Sequence, residues 1–470
     1  MKEKFSYLIK NTGLLFISNF ASKILVFLLV PFYTSVLTTV EYGTYDLLYT
    51  TVQLITPIVT LNIVDAVIRF SIDSERENQK NVFTVGVKYF VISTFLIIIL
   101  SIVLTFANAL GSFSNYNVQF FWIFIAFSLN NFICQFARGI EDVKGVAISG
   151  IIGTVAMIVL NVALLLWFKL GLVGYFYAMT SSLLFPALFL IYRDKMWEYF
   201  DLEYLTLKVG QCEKEMLSYC LPLIFINLSW YINNVSDRYV VTYMCGLEEN
   251  GIYSVSYKIP AILNAVQVVF IQAWQLSAVK EYSSNDGEPF YRKTYQGTQL
   301  IMTMLCAVLI LITKPLSRCL FANEFYVAWQ YVPVLLIYIV FNTLSGVLGG
   351  VFSATKDSSL LAWTGIIGSA VNIVLNFVLV YKIGTMGAAI ATVISSVIIW
   401  YMRFKASKKY MVLKIHLGRH CVQYVILFVQ ALAMIKINDI KIGLFLQIVF
   451  ISLIMLLSIK EIRSMKNEVI

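Results

Sequence analysis

Runs of roughly 20 apolar residues recur along the chain, and each is long enough to cross a bilayer as a helix. No other feature limits the possible folds so strongly. Of the 470 residues, 59% are hydrophobic and 13% charged, whereas an ordinary soluble domain carries about 25% charge. A soluble core cannot bury that much apolar surface under so little polar cover. Fourteen segments are read, at approximately 11–37, 44–70, 82–108, 118–140, 145–168, 173–192, 217–243, 251–278, 295–320, 327–354, 360–381, 386–404, 419–436 and 441–459. Backbone groups in lipid must be paired within a helix or a closed barrel. Barrel strands are about ten residues long and alternate in polarity; these runs are longer and do not alternate. The expectation is an all-α integral membrane protein with about 14 transmembrane helices. A soluble enzyme, a secreted disulfide scaffold and a nucleic-acid binder are excluded.

The net charge of +9 is a topology signal, because loops on the cytoplasmic side retain Lys and Arg. With the N-terminus inside, inner loops and termini hold 26 of the 35 Lys and Arg, including Arg193, Lys195, Lys208, Lys214 and the cluster from Arg403 to Arg419. The outer loops hold 7: Lys169, Lys258, Lys314, Arg318, Lys382, Lys436 and Lys441. Both termini are therefore expected in the cytoplasm. The first apolar stretch has no small-residue cleavage site after it and exceeds a signal-peptide core, so it reads as a retained membrane helix. The seven cysteines form no Cys-x-x-Cys pair and lie mostly in apolar runs, as small apolar residues do.

An internal repeat organises the chain. Residues 150–161 match 365–376 at eight of twelve positions, both stretches starting at Gly and ending at Asn. After a two-residue gap, Lys169, Gly171 and Gly174 match Lys382, Gly384 and Gly387. Asn19, Glu41, Gly43 and Tyr45 match Asn227, Glu249, Gly251 and Tyr253 without a gap. Two copies of a six-helix unit in the same orientation give two six-helix lobes, a parallel internal repeat. The expected domains are an N-lobe at 1–192, a cytoplasmic interfacial connector at 193–216, a C-lobe at 217–404, and a basic loop with two C-terminal helices at 405–470. The connector mixes Trp197, Tyr199, Phe200, Leu202 and Tyr204 with charges, as an interfacial segment does.

Catalytic motifs are missing from the sequence. It has no phosphate loop and no nucleophile elbow. His416 and His420 lack a third ligand. No cofactor and no metal are expected. What remains are polar residues in the apolar segments, which are costly there and face bundle interiors or watery cavities. Asn19 and Lys23 share a face of the first segment. Asp65 and Arg69, four apart near the end of the second, line a cavity or cancel each other as an ion pair. Asn227, Tyr231, Asn234 and Arg238 lie on one stripe of the seventh, with Asp237 beside it. Arg138, Lys258 and Lys280 sit at helix ends, where they reach a cavity or snorkel to headgroups. At the repeat offset Lys23 aligns with Tyr231 and Arg238 with Val30, so the scaffold is twofold but its charges are not. Pro31, Pro57 and Pro260 interrupt segments, and Gly346, Gly349 and Gly350 mark either a hinge or close packing in the tenth.

The stretch from Asn11 to Leu47, the Glu41-Tyr-Gly-x-Tyr turn, Ala66-x-x-Arg69-Phe and Asp237-Arg238-Tyr occur in an ordered set. That set resembles the Wzx-type oligosaccharide flippases, the polysaccharide transporters of the MATE-like flippase superfamily (MOP). The resemblance spans the chain, with six-plus-six helices and two more. It implies a MATE-like fold and a flippase for undecaprenyl-pyrophosphate-linked oligosaccharide, moving O-antigen or capsule repeat units across the inner membrane by alternating access. It implies a basic central cavity for the pyrophosphate; the polar stripes and the unmatched charges of the repeat suggest Lys23 and Arg238 as its cations. It also suggests a polysaccharide polymerase and a chain-length regulator as partners. The alternatives are a drug or cation antiporter of the same superfamily, or a membrane oligosaccharide polymerase or glycosyltransferase, which short outer loops disfavour.

Overall fold

The computed structural model describes residues 27–72, 74–106, 115–202, 210–281, 287–355, 357–410, 417–437 and 439–467. Among them the regular structure is helical throughout. The chain parts into two compact units, Met1–Ile232 and Asn233–Ile470.

The first unit contains α1 (Val30–Val36), α2 (Thr39–Val59), α3 (Ile63–Ser71), α4 (Arg76–Phe106), α5 (Asn117–Gly139), α6 (Val143–Asn161) and α7 (Gly171–Arg193). It ends within α8 (Gln211–Cys245). The second unit contains α9 (Leu247–Ser256), α10 (Pro260–Glu281), α11 (Gly287–Leu311), α12 (Thr313–Leu320), α13 (Val332–Ala354), α14 (Ser358–Ile383), α15 (Thr385–Ser407), α16 (Leu417–Lys436) and α17 (Ile440–Asn467). Among the described residues ten helices are long and apolar enough to span a bilayer, and twelve spans result if α2–α3 and α9–α10 each count as one bent span. The seventh segment is the 35-residue α8. The first, at 11–37, lies largely outside the described residues.

Both bends have a local cause. Pro57 lacks a backbone donor, and the chain breaks after Val59 with Leu61 and Asn62 at φ +50° and +54°, turning α3 by 64° from α2. Asparagine tolerates this left-handed geometry better than most residues. Pro260 instead opens α10, the favoured place for a residue without an N–H, and the bend there is 53°. At the repeat offset the two breaks do not coincide.

The repeat is written into the helix ends. Asp142 caps α6 through the N–H of Gly145 at 3.0 Å, and its counterpart Asp357 caps α14 through Leu360 at 3.2 Å. Both capped helices end in turns that use positive-φ glycines, Gly171 at +52° and Gly384 at +62°. The copies differ between these points. The first copy carries two extra residues, and there the chain forms a π-helical segment, Val162–Trp167, with the N–H of Phe168 bonded to the carbonyl of Ala163. The second copy stays α-helical to Ile383.

In lipid, helix association relies on close packing rather than on transfer from water. The glycines of α13 serve that purpose. The helix is continuous, Gly346 lies against Ile271, and a Cβ on Gly350 would come within 2.4 Å of the Trp274 indole. That indole donates to the Val347 carbonyl at 2.9 Å. Close packing, not a hinge, accounts for these glycines. In the first unit Met196 of the connector joins Met216, Cys220, Phe83, Phe136 and Leu190 in one core. Trp197 and Leu202 remain exposed. The connector is therefore anchored inside the unit as well as being amphipathic.

Candidate functional site

Among the described residues, each unit holds a polar cluster built around an aspartate, Asp65 in the first and Asp237 in the second. In the first unit the break between α2 and α3 presents Asn62, whose amide donates to Asp65 Oδ2 at 2.6 Å. Asn227 of α8 donates to the same carboxylate oxygen and to Asn62 Oδ1, each at 3.2 Å. Asp65 occupies the first turn of α3 and Arg69 the last, placements that each favour the helix dipole. Arg69 is exposed, and among the described residues no ion pair joins it to Asp65. Of the two readings of this four-residue spacing, the self-cancelling pair is not formed. Among the described residues Asp65 is held by two neutral amide donors and by no cation.

In the second unit Asp237 is 2% exposed. Its carboxylate accepts from Tyr257 at 2.7 Å, Tyr253 at 2.8 Å and the backbone N–H of Arg238 at 2.9 Å. The Arg238 guanidinium lies over the Tyr257 ring, 5.4 Å from its centroid. A buried carboxylate needs such donors, because an unmet acceptor in low dielectric costs more than a made bond returns. Next to Asp237, Ser236 donates to Asn372 Oδ1 at 3.1 Å. Asn376 donates to the same oxygen at 2.9 Å, and the Asn372 amide reaches Thr392 and Ser395 at 3.4 and 3.3 Å. Helices α8, α14 and α15 thus converge on a polar core whose charged members among the described residues are Asp237 and Arg238.

At the far end of α9, Glu249 accepts from Thr385 at 2.7 Å and from Tyr331 at 3.3 Å. Its counterpart Glu41 closes a capping box with Thr38 and lies against Gly171, where a Cβ would stand 3.3 Å from its Oε1. The residue matching Thr38 is Gly246, which has no side chain to cap with, so Glu249 turns to Thr385 instead.

The remaining sequence-expected residues are dispersed. Arg138 is exposed at the end of α5 and donates to Gln135 Oε1 at 3.0 Å. Lys258 is half-buried in the break between α9 and α10. Asn234 lies in α8 and Lys280 in α10, but their side chains fall outside the described residues, as do Asn19 and Lys23 altogether. Asn62, Tyr253 and Tyr257 were missed by the sequence reading. Their signals were Pro57 upstream of Asn62 and a Tyr pair repeated at 45/49 and 253/257.

The sequence pattern of the polysaccharide biosynthesis protein family matches residues 8–275, more than half of the chain. No curated protein matches it in sequence. Among solved structures, the lipid II flippase MurJ in an inward closed conformation is 15% identical, with a TM-score of 0.67, covering 95% of this chain and 97% of that one. An inward-facing multidrug resistance MATE family transporter of the MOP superfamily is 15% identical, with a TM-score of 0.62 and coverage of 89% and 96%. A MOP superfamily transporter from Pyrococcus furiosus is 14% identical, with a TM-score of 0.54 and coverage of 86% and 96%. At such identities the likeness is one of fold, and it gives this multi-pass membrane protein a MATE- and MurJ-like architecture. Broken helices, paired copies and the sequence pattern agree, and the chain belongs to the polysaccharide biosynthesis protein family.

Proposed function

We propose that the protein is a flippase that carries an undecaprenyl-pyrophosphate-linked oligosaccharide, an O-antigen or capsule repeat unit, across the inner membrane. The family match over residues 8–275 carries this reading. The fold shared with a lipid II flippase across 95% of the chain supports it. Lys23 and Arg238 engage the pyrophosphate, and alternating access relocates it without chemical change. A polymerase and a chain-length regulator then take the unit onward. Asp237 and Asp65, each held by neutral donors, favour coupling to an ion gradient, a role also suited to an antiporter. The test is a strain lacking the protein. It should accumulate lipid-linked single repeat units inside and make no polymer. Normal surface polysaccharide together with lost drug or cation efflux would establish the antiporter instead.

A further inference from the structure

One cation of the second unit has no part in these clusters. Arg403 of α15 points between α13 and α14. Its Nε donates to Thr364 Oγ1 and its Nη1 to the Ser345 carbonyl, both at 3.1 Å. Thr364 and Ser345 are 1% and 2% exposed. Both acceptors are neutral, and among the described residues no carboxylate stands within ion-pair distance of the guanidinium. Gly349 leaves the space beside it, since even a Cβ there would lie 3.6 Å from Nη1. Nη2 has no protein partner among the described residues.

The repeat supplies an internal control. At the offset of Gly174 and Gly387, Arg403 corresponds to Leu190, a fully buried core residue of the first unit. Thr364 corresponds to Ser149. The architecture is therefore satisfied by leucine at this position, and helix packing does not require a cation. A charge set among helices with neutral partners alone is costly unless an anion completes it. The surroundings favour an anion. Lys405, Lys408 and Lys409 are exposed at the same end of the unit. Asp357, also at that end, is already engaged by Tyr410 and by the N–H of Leu360. Arg403 is about one helical turn from the end of α15, about 6 Å along the axis.

We propose that Arg403 binds the phosphate group of a lipid. A guanidinium matches phosphate oxygens in shape and charge, and two of its nitrogens are already fixed, so little side-chain freedom is lost on binding. Two sources carry this chemistry: a phospholipid headgroup of the bilayer, or the diphosphate of a polyprenyl-linked sugar. The second rests on the flippase reading; the first does not.

The test uses the full chain purified in neutral detergent, with its thermal midpoint recorded against added lipid. The probes are undecaprenyl diphosphate and phosphatidylglycerol, with phosphate-free undecaprenol and diacylglycerol as controls. A phosphate lipid should raise the wild-type midpoint and its control should not. Arg403→Leu, which copies the first unit, should keep the lipid-free midpoint and bind the phosphate lipid about tenfold more weakly or worse. Arg403→Lys should retain part of the affinity. A shift with phosphatidylglycerol alone assigns the bilayer as source and survives failure of the flippase reading. A shift with undecaprenyl diphosphate assigns the carrier lipid. The proposal is overturned if no phosphate lipid shifts the wild type. It is also overturned if Arg403→Leu lowers the lipid-free midpoint while the lipid response persists. Should Arg403→Leu not fold, undiminished affinity in Arg403→Lys overturns it as well.

Discussion

Tyr257 donates a 2.7 Å hydrogen bond to the carboxylate of Asp237. The matching residues of the first copy are Tyr49 and Leu29, so the tyrosine is duplicated and the carboxylate is not. An apolar environment makes that carboxylate depend on its donors. Tyr257→Phe removes one of them and should cost about 1–3 kcal/mol of stability. A lowered thermal midpoint in Tyr257→Phe, and a further drop in the Tyr253→Phe double variant, are expected. A midpoint unchanged in both would show that Asp237 does not rely on the tyrosines.

Arg238→Ala and Lys23→Ala should impair flipping while membrane levels stay near normal. Arg238→Lys should recover partly, because charge is kept and the planar fork is lost. Flipping of a labelled lipid-linked oligosaccharide in proteoliposomes, set against protein level by immunoblot, makes the comparison. Loss of both alanine variants from the membrane would indicate a structural role.

Thr385→Val removes the 2.7 Å bond to Glu249, and Thr38→Ala removes the capping box of α2. Each should lower stability by about 1 kcal/mol. Gly246→Thr, by contrast, should not restore a box, because Gly246 sits at φ +96°, where a β-branched residue is strained. Thermal midpoints of the three purified variants test this.

At the end of α7, burial and the neighbouring Asp142 push the Asp194 carboxyl up to about 6, from an ordinary value of 3.8. Arg193 contacts both acids, Asp142 at 3.1 Å and Asp194 at 3.7 Å. The folded state thus holds this proton more tightly than the unfolded chain. Its contribution to stability is complete below about pH 4 and fades as pH rises through 6. Midpoints measured across that window should fall for the wild type relative to Asp194→Asn, which keeps a donor and loses the charge. Parallel curves would remove Asp194 from the pH response.

Reporter fusions near Ser74, Lys144, Lys208 and Lys409 should read as cytoplasmic, and those near Val40, Ser114 and Glu249 as external. The basis is the division of Lys and Arg between loops. Cytoplasmic signals at both Ser114 and Glu249 would overturn the orientation.

Apolar length made the helical fold legible, and Gly and Asn spacing made the repeat legible, because both depend on residues near each other in the chain. The polar clusters depend on backbone breaks. A four-residue gap put Asp65 and Arg69 on one helical face. The break at Leu61 and Asn62 starts α3 only two residues before Asp65, so the carboxylate meets Asn62 and, from far along the chain, Asn227. The stripe on α8 was visible, yet the partners of Asp237 come from α9 and from Tyr257 beyond it. Their spacing relative to Asp237 carries no periodic signal. The glycines of α13 left two readings equally open, and only the positions of Ile271 and Trp274 decide between them.

The wide turn at Val162–Trp167 has a bearing on how such duplicated chains diverge. A two-residue insertion in a regular helix would rotate everything after it by more than half a turn and set the wrong side chains against their neighbours. Bonds to the fifth residue back absorb length instead, and Asn161 before the insertion and Gly171 after it still align with Asn376 and Gly384. Membrane helices are commonly treated as intolerant of length change. Here one copy has changed length inside a span and kept both ends in register, so sequence comparison within this architecture must allow gaps inside helices as well as between them.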